Sequence, residues 1–82
     1  MVPDRDELIG YLKAMYAEVL EYPSEMVTAD IDLEAELGAD SLQHQLVLAR
    51  AAEHWGLRLP PESRTPTPLT PRSVAGFLLD AS

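Results

Sequence analysis

Leu37-Gly38-Ala39-Asp40-Ser41-Leu42-Gln43 decides how this chain is read. A glycine that can take a left-handed turn is followed, three residues on, by a serine at the head of a long helical run. Residues 41–56 have no proline, carry Asp40 as an N-cap and end on Gly56, so they predict a helix of ~24 Å. The first residue of such a helix lies beside free backbone N–H groups and the positive end of the helix dipole. An anionic ester on Ser41 would be favoured there. Ser41 also has a plain reading, as an ordinary helix-start serine.

Outward from this stretch, the chain reads as helices throughout. Leu8, Leu12, Met15, Tyr16 and Val19 recur at three- and four-residue steps and predict a first helix over 4–21, with Pro3 at its first position and Pro23 near its end. Residues 22–40 read as a long connection pinned by Met26, Val27, Ile31, Leu33 and Leu37, with one helical turn at Leu33–Glu36 capped by Asp32. Such long connections are uncommon in compact domains and often functional. In the 41–56 helix, Val47, Leu48, Ala51 and Trp55 form one apolar face, and Leu42, Leu46 and Ala49 form a second. Four prolines (Pro60, Pro61, Pro66, Pro68) make 57–69 mostly non-helical, with a possible turn at Pro61–Arg64. Thr70-Pro71 opens a last helix that buries Val74, Phe77 and Leu78. The expected fold is all-α: a small antiparallel bundle of three main helices plus short helical turns, with a long first loop, in one domain over 1–82.

Composition narrows the function. The chain has 82 residues, 46% hydrophobic, and a net charge of −8. Residues 1–40 hold eleven acids and two bases, a net −9; residues 41–82 hold three acids and four arginines, a net +1. This balance argues against nucleic acid and anionic membrane and favours basic protein partners. No cysteine is present, which excludes disulfides and thiolate metal sites. No apolar run approaches the ~20 residues of a membrane span, and the N-terminus lacks the order of a signal peptide, so a cytoplasmic monomer is expected.

Other candidate sites fail on spacing. Asp30, Asp32 and Glu34 alternate like the start of a calcium loop, but Ala35 stands where glycine is needed and Ser41 where a glutamate is needed. No metal is expected. Asp40, Ser41 and His44 hold the residue types of a nucleophilic triad, but neighbours on one helix do not give its geometry. His44 and His54 read as solvated side chains; a second reading of His44 sets it beside a group attached at Ser41, where its charge could change near neutral pH. Trp55 and Phe77 read as core anchors. Tyr11, Tyr16 and Tyr22 give no further signal.

Gly38-Ala39-Asp40-Ser41-Leu42 resembles the attachment motif of acyl carrier proteins, a glycine, a variable residue and Asp-Ser-Leu at the start of the second helix. Leu33-Glu34-Ala35-Glu36-Leu37, Leu59-Pro60 and Thr70-Pro71-Arg72-Ser73-Val74-Ala75 are similar to carrier segments in the same order, so the resemblance covers nearly the whole chain. Glu21-Tyr22-Pro23-Ser24-Glu25-Met26 is similar to a segment of iterative polyketide and polyunsaturated fatty acid carriers. The resemblance implies a covalent 4′-phosphopantetheine, moved from coenzyme A onto Ser41 by a phosphopantetheinyl transferase, with Gly38, Asp40 and Leu42 framing the site. It implies a non-catalytic carrier whose partners are acyl-loading, condensing and tailoring enzymes. A carrier of aminoacyl or aryl groups, and a helical interaction domain that is never modified, are the alternatives.

The chain also departs from the fatty-acid carriers. Their acidic helix-two positions are occupied here by Gln43, Leu46 and Ala52, with only Glu53 charged, and Gln45 replaces an aliphatic residue. These departures favour a polyketide-type pathway. They suggest docking through Leu42, Gln45, Leu46 and Ala49, rimmed by Glu34, Glu36 and Asp40, with weak salt dependence. Burial of Leu46 by a shifted helix packing is the other reading.

Overall fold

The computed structural model describes residues 3–58 and 67–81. Four α-helices, α1 (Arg5–Leu20), α2 (Leu33–Leu37), α3 (Ser41–Trp55) and α4 (Pro71–Ala81), and a 3-10 turn at Ser24–Met26 make up its regular structure. Among the described residues there is no strand. The fold is the all-helical bundle expected, with three main helices and short turns between the first two. The possible turn at Pro61–Arg64 and the Leu59-Pro60 segment lie outside the described residues.

Each helix begins where a side chain can satisfy its first amides. Asp4 caps α1 by accepting the Glu7 amide at 2.7 Å. Pro3 therefore precedes the cap and does not occupy the first helical position, because a carboxylate is the better cap. Thr70 caps α4: Ser73 N–H donates to Thr70 Oγ1 at 3.0 Å, and Thr70 N–H donates to Ser73 Oγ at 2.9 Å. α1 ends with Glu21 in a left-handed conformation (φ 62°), and Pro23 follows.

α1 is the common partner, packed against both α3 and α4. Its Leu8, Leu12 and Tyr16 are fully buried, as are Val47 and Ala51 of α3 and Val74 and Leu78 of α4. Trp55 and Phe77 are half-buried, Trp55 packed against this core, whereas Tyr16 is fully buried in it. Trp55 is the last residue of α3, where its ring meets Tyr11 edge-on at 4.7 Å between centroids.

The long first connection is held rather than free. Val27, Leu33 and Leu37 are buried, and Ile31 is half-buried. Met26 is 46% exposed, so it does not pin the connection as its apolarity suggested. Leu33 N–H donates to the Leu69 carbonyl at 2.8 Å, and Arg72 N–H to that of Ala29 at 2.9 Å. Arg72 also forks onto Asp30 (2.8 and 3.3 Å), which holds the Asp30 carboxyl below its ordinary range. These contacts fix α2, and through it the start of α3.

Candidate functional site

Three residues connect α2 to α3, and each has a defined conformation. Gly38 closes α2 in the left-handed region (φ 71°), its N–H donating to the Glu34 carbonyl at 3.1 Å. A Cβ there would meet no neighbour, so the need for glycine comes from the backbone alone. Ala39 is buried, and its N–H donates to the Leu33 carbonyl at 3.0 Å. Asp40 is extended, and its carboxylate accepts the Gln43 amide at 2.8 Å. Gln43 Oε1 returns the contact by accepting the Asp40 amide at 3.1 Å. This reciprocal cap ties down the turn that presents Ser41.

Ser41 is the first residue of α3 and is exposed. Its amide and that of Leu42 have no partner within the helix by geometry, so donors and the positive dipole end surround the hydroxyl. Asp40 opposes part of this field, and Glu34 and Glu36 are exposed on α2 nearby in sequence. The site is thus a hydroxyl at an anion-favouring helix start, rimmed by carboxylates.

Leu42 is 80% exposed and Leu46 43% exposed. Ala49 is exposed and Gln45 half-buried. These four residues follow the i, i+3, i+4, i+7 spacing of one helix face. Leu46 is therefore not enclosed by a shifted packing. α1 covers the opposite side of α3 and leaves this apolar stripe outside.

His44 departs from the reading as a solvated side chain. It is 2% exposed, and its Nδ1 lies 2.6 Å from the Tyr16 hydroxyl of α1. Its Nε2 is buried and has no hydrogen-bond partner among the described residues. Burial pushes the His44 pKa below its ordinary 6.5 and the Tyr16 pKa upward. The reason is helical phase: 44, 47, 48 and 51 share a face, and Val47, Leu48 and Ala51 put that face in the core. With Asp40 committed to Gln43 and His44 to Tyr16, no serine–histidine–aspartate relay forms. The residue types alone had suggested no role for Gln43 as a cap, although Asp-x-x-Gln before an apolar run is a legible capping signal.

A cavity of 40 Å³ lies against the site, lined by Glu34, Ala39, Asp40, Ser41, His44 and Leu69. A wider groove of 380 Å³, lined by Tyr11, Arg50, Glu53 and His54, lies at the far end of α3, roughly 20 Å along the helix. The larger space is thus remote from Ser41. The calcium-like acids do not converge: Asp30 pairs with Arg72, and Asp32 caps α2 through the Glu34 and Ala35 amides. Among the described residues no cluster of metal-ligating side chains is present, and no helix is long and apolar enough to cross a membrane.

The family model described as phosphopantetheine attachment site matches residues 10–63, more than half of the chain. No curated protein and no solved structure gave a match.

Proposed function

Because this chain belongs to the phosphopantetheine attachment-site family, whose domains carry a covalent 4′-phosphopantetheine, we propose that Ser41 is the attachment residue of a discrete acyl carrier protein. The observation that carries this reading is the exposed Ser41 hydroxyl at the capped start of α3. The site residues fit the group: the hydroxyl is open to an incoming enzyme, and the first amides of α3 favour a phosphodiester. Gly38 supplies the turn, Asp40 the cap, and Leu42 an exposed apolar neighbour.

Carrier domains of this family are non-catalytic and are modified by a phosphopantetheinyl transferase. When bound, the arm's terminal thiol holds acyl groups as thioesters, which a cysteine-free chain cannot do by itself. The chain's own part is to hold Ser41 in a fixed orientation and to present a recognition surface. Tethering raises the local concentration of a substrate at successive enzymes.

The finer reading is a polyketide-type carrier serving acyl-loading, condensing and tailoring enzymes. It is supported by the uncharged start of α3 and by the exposure of Leu42, Leu46 and Ala49 where charge pairing would need acids. Docking through Leu42, Gln45, Leu46 and Ala49, with Glu34 and Glu36 at the rim, should respond weakly to salt. A steep loss of partner binding at raised ionic strength would count against it.

The attachment is tested by incubating the protein with coenzyme A and a broad-specificity phosphopantetheinyl transferase and measuring its mass. A gain of one phosphopantetheine group is expected, and none in Ser41→Ala. An unmodified wild-type chain, under conditions that modify a control carrier, overturns the reading.

A further inference from the structure

We infer that His44 is a titrating positioning residue for Ser41: the neutral ring accepts the Tyr16 hydroxyl proton at Nδ1 and holds the first turn of α3 on α1, and a protonated ring releases that turn. The inference goes beyond carriage of the arm, and its first test needs only the unmodified chain.

The geometry is that of a buried polar latch. Tyr16 is fully buried about one turn before the end of α1, and His44 is 2% exposed one helical turn after Ser41. Their rings are within 14° of parallel, and the 2.6 Å contact joins residues 28 apart in sequence. The phenol stays protonated and has no other acceptor among the described residues, so the tautomer that satisfies its O–H has Nδ1 as the acceptor and the ring proton on Nε2. That Nε2–H is buried with no partner among the described residues, and His44 lines the cavity that Ser41 and Asp40 also line. A proton added at Nδ1 removes the acceptor. It leaves the phenol proton to find another acceptor, and it places a cation in the core.

The titratable groups around the ring do not offset that charge from within. Tyr16 faces it from α1 and is neutral. Glu34 of α2 and Asp40 of the α2–α3 link share its cavity but are exposed, and Asp40 is engaged by the Gln43 amide. Ser41 lies on its own helix, and Leu69, from the segment before α4, is apolar. Burial therefore dominates and depresses the folded-state pKa below 6.5. Between that value and 6.5 the unfolded chain binds more protons than the folded one. The latch's contribution is complete above 6.5 and is lost as pH falls below it.

The test begins with ring ¹⁵N NMR on the unmodified chain. The expected result is an Nε2–H tautomer for His44, a midpoint below 6.5, and backbone amides of Ser41, Leu42 and Gln43 that move with that midpoint. An Nδ1–H tautomer, or amides that do not follow the ring, overturns the proposal. Urea midpoints are then compared from pH 7.5 to about 5. His44→Asn keeps a short acceptor without a titration and should lose at least half of the wild-type fall, whereas His54→Asn should keep it. An undiminished fall in His44→Asn overturns the latch. If that variant does not fold, Tyr16→Phe serves: its Ser41–Gln43 amides should lose the ring-linked titration, and retention of it overturns the latch.

A second arm rests on Ser41 as the attachment residue. Once the mass gain shows the modification, the added anion should raise the His44 midpoint by at least ~0.3 pH units. An unmoved midpoint in the modified chain overturns the coupling to Ser41 and leaves the attachment intact. A missing mass gain counts against the attachment, and the unmodified-chain titration still decides the latch.

Discussion

The two ends of α3 each set a tyrosine of α1 against a histidine of α3, and they do so in opposite surroundings. At the Ser41 end, Tyr16 and His44 are buried and meet through a 2.6 Å polar contact. At the other end, Tyr11 stacks on an exposed His54 with centroids 4.9 Å apart, and its hydroxyl donates to the Arg50 carbonyl at 3.3 Å. Arg50 also makes an exposed ion pair with Glu18 at 3.6 Å, and Glu53 lines the same groove. The same residue types thus make a desolvated polar contact at one end and a solvated stack at the other. The desolvated contact lies one helical turn from Ser41.

That contrast can be broken most directly at Tyr16. Tyr16→Phe keeps the ring and removes the hydroxyl, leaving His44 Nδ1 buried without its donor. The cost of orphaning one buried polar atom is about 1–3 kcal/mol. A urea or thermal unfolding measurement should show it in full at neutral pH. A loss within experimental error would mean that the buried contact is no stronger than the exposed stack.

Asp40 gives the next largest effect and separates two roles of one carboxylate. Asp40→Ala removes the acceptor of the Gln43 amide and should cost about 1 kcal/mol, as lost N-caps do. Asp40→Asn restores the cap without the charge. If the charge contacts a basic group on the transferase, the Asn variant should be as stable as wild type yet be modified more slowly. Equal rates for Asn and wild type would reduce Asp40 to its cap.

Much of this arrangement was legible in the chain, and two of the exceptions share one cause. The ends of α3, the opening of α4 at Thr70-Pro71, the cap at Asp40 and the left-handed turn at Gly38 follow from residues within one or two turns of each other. His44 was misread because its burial depends on Tyr16, 28 positions away, which converts an apparently polar position into a satisfied core one. Leu46 was ambiguous for the same reason. Two apolar faces on α3 are equally visible in sequence, and the position of α1 decides which is covered. Trp55 and Phe77 read as anchors because size signals burial, yet both are half-buried, and Trp55 is the last residue of α3.

The smallest effect belongs to the far end and completes the comparison. Tyr11→Phe removes a hydroxyl whose contact with the Arg50 carbonyl is long and exposed, so water replaces it on both sides. The ring still stacks on His54 and still meets Trp55 edge-on, and those contacts carry the apolar share. The expected change is within about 0.5 kcal/mol, the range of substitutions on solvated surfaces. Tyr11→Phe and Tyr16→Phe delete the same atom from the same helix, one facing the exposed Arg50 carbonyl and the other the buried His44 Nδ1, so their difference compares a solvated contact with a desolvated one. A Tyr11→Phe cost as large as that of Tyr16→Phe would mean that the α1–α3 interface is uniformly tight, and Ser41 would then owe its orientation to the Asp40 cap and the Gly38 turn rather than to His44.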